Sequence, residues 1–200
     1  MPVAPIAFFF DFSSPYSYLA STQIEALAER HDRGIEWVPI LLGPVFATTG
    51  AKPLVEQPLK GDYARIDIPR SARFFGVPYQ HPAPFPIATH HAARVLIGLQ
   101  RELPAQAVPW VHAAFSAYFM QGRNISQPEV LHSVAQDLGI NTARIDGWCN
   151  EPQIKAQLKA NVDRAMQSGV CGAPFFVVDD EPFWGVDRLP QIDRWLTARF

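Results

Sequence analysis

The sequence predicts an α/β fold in which a βαβ unit and a ββα unit flank a long all-helical block, and three observations carry that reading. An apolar run of strand length, Ile6 to Phe12 (IAFFFDF), passes through Ser13-Ser14-Pro15 into a helix-patterned segment. A second β-rich run, Ile35 to Leu42, precedes a long stretch whose apolar residues recur at helical spacing as far as Met166. Strand character returns only at Pro174 to Asp179, with one more helix behind it. This order is that of a thioredoxin-like fold with an all-helical insertion. It divides the chain into a thioredoxin-like domain, residues 1–42 and 170–200, and a loop plus helical insertion domain, residues 43–169.

Each element has its own signal. Ser14 is a favourable N-cap and Pro15 fits the first helical position. Behind them Tyr16, Leu19, Ala20, Ile24, Leu27 and Ala28 share one face, and Gly34 ends the segment. The run IEWVPILL is apolar on both residue sets, as in a strand buried on two faces, although Pro39 is awkward inside a central strand. Residues 43–61 hold Gly43, Pro44, Gly50, Pro53, Pro58 and Gly61 without a sustained period, and are expected to be a long functional loop. Helices are then expected over Asp62–Phe75 with a break near Pro69, from Pro86 through Leu99, and over Ala105–Gln121. Ser126 and Glu129 read as a capping box for the next helix, and Gly139 as its stop. A short helix around Thr142–Cys149 and another from Pro152 complete the block. After the strand PFFVVD, a tight turn at Asp180-Glu181, a partner strand Pro182–Trp184 and a helix Leu189–Ala198 end the chain.

Composition narrows the function. At 200 residues the chain can bury a sizeable core, and 48% apolar with 18% charged residues describes a globular protein. A net charge of −2 without a basic block argues against nucleic acid and anionic membrane as partners. No apolar run approaches transmembrane length, and the N-terminal stretch lacks a basic n-region, so no signal peptide is expected. Cys149 and Cys171, with no CxxC, argue against a disulfide framework and a zinc site. Both are read as small buried hydrophobes in a reducing cytoplasm. His90 and His91 are neighbours that diverge on a helix, and no metal site is expected. Trp37, Trp110, Trp148 and Trp195 are assigned to packing.

The chemistry concentrates at Ser14-Pro15-Tyr16-Ser17. A strand leading into a helix through such a motif is the layout of a thioredoxin-type active site, where dithiol enzymes carry cysteine at the two outer positions. Serine at both positions removes dithiol chemistry. What remains is a helix N-terminus, whose free N–H groups and partial positive charge favour an anion such as a thiolate. Gly172-Ala173-Pro174 stands where this fold holds a cis-proline that turns the preceding residue's backbone groups toward the cleft, able to pair with an extended peptide. Asp187, near the last helix, is placed to cap it or to receive an ammonium group. Ser14 has no adjacent base and no G-x-S-x-G context, so it reads as a hydrogen-bond donor to an external thiolate rather than as a nucleophile.

FDFSSPYSYLA, LKGDYARID, GAPFF and FWGVDRL, in this order, resemble the 2-hydroxychromene-2-carboxylate isomerases, relatives of kappa-class glutathione transferases and DsbA-like proteins. The resemblance spans the chain. It implies the DsbA-like, kappa-class topology and a dimeric, cytoplasmic, glutathione-dependent enzyme of aromatic catabolism. It implies that Ser14 is the catalytic serine, which favours the glutathione thiolate for reversible addition to a conjugated aromatic keto acid. It further implies that Ala173 and Pro174 bind the tripeptide backbone, that Trp184, Gly185, Val186 and Asp187 hold the γ-glutamyl end, and that Phe46 and Lys60 face the second substrate. The chain departs from the family where Val186 replaces a usual Asn or Ser, where Ala51 replaces the Asn of a GNKP-like stretch, and where HPAPFPI (residues 81–87) lacks an expected Asn-Tyr. A kappa-like transferase of other substrate range and a non-catalytic peptide-binding module are the alternatives.

Overall fold

The computed structural model describes residues 4–198; the first three and last two residues, the outer ends of the two segments assigned to the thioredoxin-like unit, lie outside the described residues. A four-stranded mixed sheet has the order β2-β1-β3-β4. β1 (Ile6–Phe10) pairs in parallel with β2 (Ile35–Pro39), setting Phe8 against Trp37. β3 (Phe175–Val178) is antiparallel to β1 with Phe8 opposite Phe176, and β4 (Glu181–Trp184) is antiparallel to β3. Asp179 and Asp180, with φ of 51° and 67°, make the connecting turn, one residue earlier than the sequence suggested.

β1 is buried on both faces, which is why it reads as a continuous apolar run. Phe8, Phe10 and Phe12 join one cluster with Tyr18, Trp37, Phe115 and Phe176, and Phe8 stacks on Phe176 at 5.0 Å between ring centres. Ala7 and Phe9 face the other way, onto Val162, Ala165, Val170 and Phe175. Both edges are short. Pro39 closes the edge strand β2, whose outer side needs no ladder donor.

The helices are α1 (Pro15–Arg30), α2 (Leu42–Thr49), α3 (Lys60–Phe75), α4 (His90–Glu102), α5 (Ala107–Phe119), α6 (Pro128–Asp137), α7 (Thr142–Asn150), α8 (Pro152–Gln167) and α9 (Leu189–Ala198). Several departures from the sequence expectation have identifiable causes. The first strand stops at Phe10 and the second at Pro39, because Asp11 and Leu41 begin the turns that feed the helices. The expected loop of residues 43–61 contains α2 and a 3₁₀ turn, Leu54–Glu56. Gly43, Pro44 and two threonines hide α2 from a propensity reading. The helix holds because the Leu42 N–H donates to the buried Asp11 carboxylate at 2.8 Å and Gly50, at φ 70°, ends it.

α3 runs unbroken through Pro69. The ring clash and lost hydrogen bond, worth roughly 3 kcal/mol, are offset by burial of Ala64, Ile68 and Ala72 on either side. α4 begins at His90, not at Pro86, because the residue before it, Thr89, is held by its hydroxyl bond to the buried Asp11 carboxylate at 2.6 Å. The capping box does not form: α6 starts at Pro128, which puts Glu129 one position too early, and the Ser126 hydroxyl donates to Asn124 Oδ1 at 2.6 Å instead.

Trp37, Trp110 and Trp148 are buried, as expected of packing residues, and Trp195 packs against the same core. Trp148 of α7 lies so close to Gly98 of α4 that an added Cβ would clash with its indole ring. Gly98→Ala should therefore destabilise the protein by about 1–3 kcal/mol. The check is the urea midpoint, which should fall with an unchanged denaturant slope.

Candidate active site

Ser14 caps α1: its Oγ accepts the Ser17 N–H at 3.1 Å, and Pro15 occupies the first helical position. The same hydroxyl donates to the Ala173 carbonyl at 3.0 Å, joining the helix N-terminus to the loop before β3. The Ala173-Pro174 bond is cis, as the sequence reading required. Ser17 is fully buried and its hydroxyl has no partner, so the second serine of the motif faces the interior rather than the cleft.

Around Ser14 opens a cleft of about 1130 Å³. The structure brings every sequence-expected site residue to its walls: Ala173, Pro174, Trp184, Gly185, Val186 and Asp187 beside Ser14, and Phe46 and Lys60 on the far side. Two glycines are required there. Gly185 has φ 110°, and a Cβ on Gly172 would meet the Trp184 indole nitrogen at 2.7 Å, so GAPFF and FWGVDRL are matched in space as well as in order. Val186 is buried in the core, so it can offer the cleft only hydrocarbon. Asp187 is exposed and 3.1 Å from Arg188.

Sequence reasoning missed several members. Asp11 is 4% exposed and its carboxylate accepts from the Ser13 N–H (2.8 Å), the Ser13 hydroxyl (3.0 Å), the Leu42 N–H (2.8 Å) and the Thr89 hydroxyl (2.6 Å). One buried carboxylate thus ties together the Ser14 turn, the start of α2 and the start of α4. A lone charge inside IAFFFDF was the available signal, since a buried carboxylate needs partners.

On the far wall, Asp67 accepts from Tyr16 (2.7 Å), Arg70 (2.6 Å), Tyr63 (3.2 Å) and Ser71 (3.4 Å). Burial, which would raise the Asp67 pKa, is outweighed by these hydrogen bonds, and the carboxyl is held below its usual range. Burial and the bond to Asp67 push the Tyr16 phenol far up, so it remains a neutral donor. Burial, with His91 and Arg94 nearby, lowers the pKa of His90, which also lines the cleft. Cys171 corrects the sequence expectation: Cys149 is buried, but Cys171 is exposed on the cleft wall because it precedes the turn into β3 rather than a core position. Lys52 and Arg188 join Lys60 as cations on the walls.

A sheet with a capped helix N-terminus facing a cis-proline, and serine where a dithiol would stand, defines a thioredoxin-fold protein without redox cysteines in its motif. Residues 5–197 match the model of the DSBA-like thioredoxin domain, and the chain belongs to that family. A 2-hydroxychromene-2-carboxylate isomerase of Sphingobium xenophagum is 30% identical over 193 residues, covering 96% of this chain and 97% of its own. A solved structure of a 2-hydroxychromene-2-carboxylate isomerase superposes with a TM-score of 0.85 at 26% identity, covering 96% of this chain and 94% of the other. The glutathione S-transferase kappa 2 of Caenorhabditis elegans is 25% identical over 213 residues, covering 98% of this chain and 92% of its own. Among the described residues no helix is long and apolar enough to cross a membrane.

Proposed function

We propose that the chain is a cytoplasmic, glutathione-dependent isomerase acting on a conjugated aromatic keto acid; the relatives that support an isomerase are named 2-hydroxychromene-2-carboxylate isomerases. The observation that carries the reading is the hydrogen bond from Ser14 Oγ to the Ala173 carbonyl, 3.0 Å long, at the floor of the cleft. It leaves one donor and one acceptor satisfied by each other. A ligand that offers both a thiolate and a backbone N–H replaces that bond by two: Ser14 turns its proton to the sulfur and the Ala173 carbonyl accepts the N–H. The exchange leaves no buried polar group unpaired, so its net cost is small. A γ-glutamyl tripeptide has this donor and acceptor set, and in this reading Trp184, Gly185, Val186 and Asp187, which line the cleft, hold its charged end.

Bound glutathione supplies a thiolate nucleophile for reversible addition to an alkene conjugated with a carbonyl, which frees the double bond to rotate. The chain's own residues do the rest. The N-terminus of α1 and the Ser14 hydroxyl favour negative charge at that point. Phe46, Leu54 and Phe85 give the far wall an apolar surface for an aromatic acceptor, and Lys60 and Lys52 offer cations for a carboxylate. A kappa-like transferase of other substrate range is the second reading, supported by the similarity to kappa glutathione S-transferases and by the absence from HPAPFPI of the Asn-Tyr that the isomerase resemblance leads one to expect.

Isothermal titration with glutathione should show saturable binding of one tripeptide per chain, and the bound protein should isomerise 2-hydroxychromene-2-carboxylate. Binding without isomerisation, but with conjugation of an aryl halide, selects the transferase. No heat of binding at millimolar glutathione overturns both.

A further inference from the structure

Among the described residues, His90 is the one imidazole on the walls of the cleft. It opens α4 directly after Thr89, whose hydroxyl donates to Asp11 Oδ1 at 2.6 Å. The same oxygen accepts the Ser13 N–H at 2.8 Å. Two donors on one oxygen are close neighbours, so one buried atom anchors the residues just before Ser14 and His90, and both of these line the cleft. The His90 ring lies against that of His91, 4.2 Å between centres, and neither of its nitrogens makes a hydrogen bond among the described residues.

The other ionisable groups of the cleft are committed. Asp11 and Asp67 each accept four donors. Tyr16 and Tyr63 give their protons to Asp67, and Asp187 pairs with Arg188. Lys52, Lys60 and Arg188 are cations without a lone pair to offer, and Cys171 brings a thiol rather than a base. Burial, with His91 and Arg94 behind it on α4, holds the His90 imidazole below its usual range, and Lys155 of α8 bears on His91 instead. The N-terminus of α4 also disfavours a cation at His90. The free protein therefore presents a neutral imidazole with an uncommitted lone pair at neutral pH.

We propose that His90 takes the thiol proton when glutathione binds, so that the thiolate forms inside the cleft without releasing a proton to solvent. The proposal rests on the glutathione reading above. The S–H bond breaks with its electron pair left on sulfur, and an N–H bond forms on the imidazole. Thiol and imidazole become thiolate and imidazolium with no change in net charge. Ser14 and the N-terminus of α1 favour the anion. The anion in turn favours the imidazolium, against the burial and the Arg94 charge that keep the ring neutral before binding. A thiol is otherwise only a few per cent ionised at neutrality, so a complex without such an acceptor releases close to one proton for each thiolate it forms.

Nitrogen NMR of the full chain labelled at its histidine rings tests the assignment, with His90→Gln identifying the His90 signals by their absence. At neutral pH, glutathione should move the His90 nitrogens from the neutral to the imidazolium position as the thiolate absorbance appears. S-methylglutathione, which has no thiol proton, should bind and leave them neutral. His91→Gln should leave the His90 response unchanged. Calorimetric titration of the wild type in buffers of differing ionisation enthalpy should count close to zero protons released. A thiolate that forms while His90 stays neutral, or with release of close to one proton, overturns the proposal and leaves the glutathione reading standing. A bound thiol that stays protonated at neutral pH overturns it equally. No heat and no shift with millimolar glutathione overturns the reading and the proposal together.

Discussion

Asp11→Ala is expected to lower the unfolding free energy by about 3–5 kcal/mol, since each buried donor left without a partner costs about 1–3 kcal/mol. Four donors depend on this carboxylate: the Ser13 N–H and hydroxyl, the Leu42 N–H and the Thr89 hydroxyl. Thr89 is 3% exposed, so its hydroxyl has little access to water. The other donors stand nearer the cleft, where solvent recovers part of the loss, which keeps the estimate below the full sum. In a chain of this size the corresponding fall in the melting temperature is on the order of 10 °C. Asp11→Asn separates shape from acceptor capacity. One amide oxygen can serve the Ser13 and Thr89 side, but the amide NH₂ then faces the Leu42 N–H, so α2 loses its N-terminal partner. Thr89→Val should cost about 1 kcal/mol, the worth of one ordinary bond. If Asp11→Ala and Thr89→Val melt within a degree of each other, the carboxylate does not hold the three segments together and this account of the cleft is wrong.

How much of this was legible in the sequence follows from what each feature depends on. β1 and α1 were readable because their signals are local: an unbroken apolar run and the N-cap pair Ser14-Pro15 act within a few residues. Ser14, Ala173 and the Trp184–Asp187 segment were readable because the fold imposes where they meet. α2 was not, because its first N–H is held by Asp11, 31 positions earlier in the chain. The start of α4 was misplaced because the Thr89–Asp11 bond, a tertiary contact across 78 positions, sets it. The Asp67 cluster was hidden for the same reason: Tyr16 and Asp67 are 51 residues apart and neither sits in a motif with the other. The buried face of α3 was not legible either, because the helix buries Gly61, Ala64, Ile68 and Ala72 and leaves the larger Tyr63, Ile66 and Phe74 exposed.

If the chain binds glutathione as proposed, Ser14→Ala should raise the apparent thiol pKa of the bound tripeptide by about one to two units and slow turnover at neutral pH by about one to two powers of ten, while leaving the fold intact. The magnitude follows from the bond removed. A hydrogen bond to a charged acceptor is worth about 1.5–3 kcal/mol, and one pKa unit corresponds to about 1.4 kcal/mol between protonation states. The direction follows from which state the hydroxyl favours. A free thiol of pKa about 8.5 is mostly protonated at neutrality, and a donor that stabilises the anion moves that value down. Removing the donor lets it return upward, so the thiolate fraction near neutral pH falls. Above both pKa values the sulfur is ionised in either protein, and the difference in rate should shrink as pH rises. Loss of the cap is a separate effect. Ser14 Oγ also accepts the Ser17 N–H at 3.1 Å, and its removal should cost about 1 kcal/mol of stability. The backbone N–H groups at the start of α1 are retained in the variant, so part of the anion preference survives. The decisive measurement is the thiolate absorbance of bound glutathione as a function of pH in both proteins. Coincident titration curves would mean that Ser14 serves α1 as a cap and has no part in holding the thiolate. Curves displaced to higher pH in the variant, with a rate deficit that closes at alkaline pH, would mean that the Ser14 hydroxyl, which donates to the Ala173 carbonyl in the free protein, donates to the thiolate in the complex.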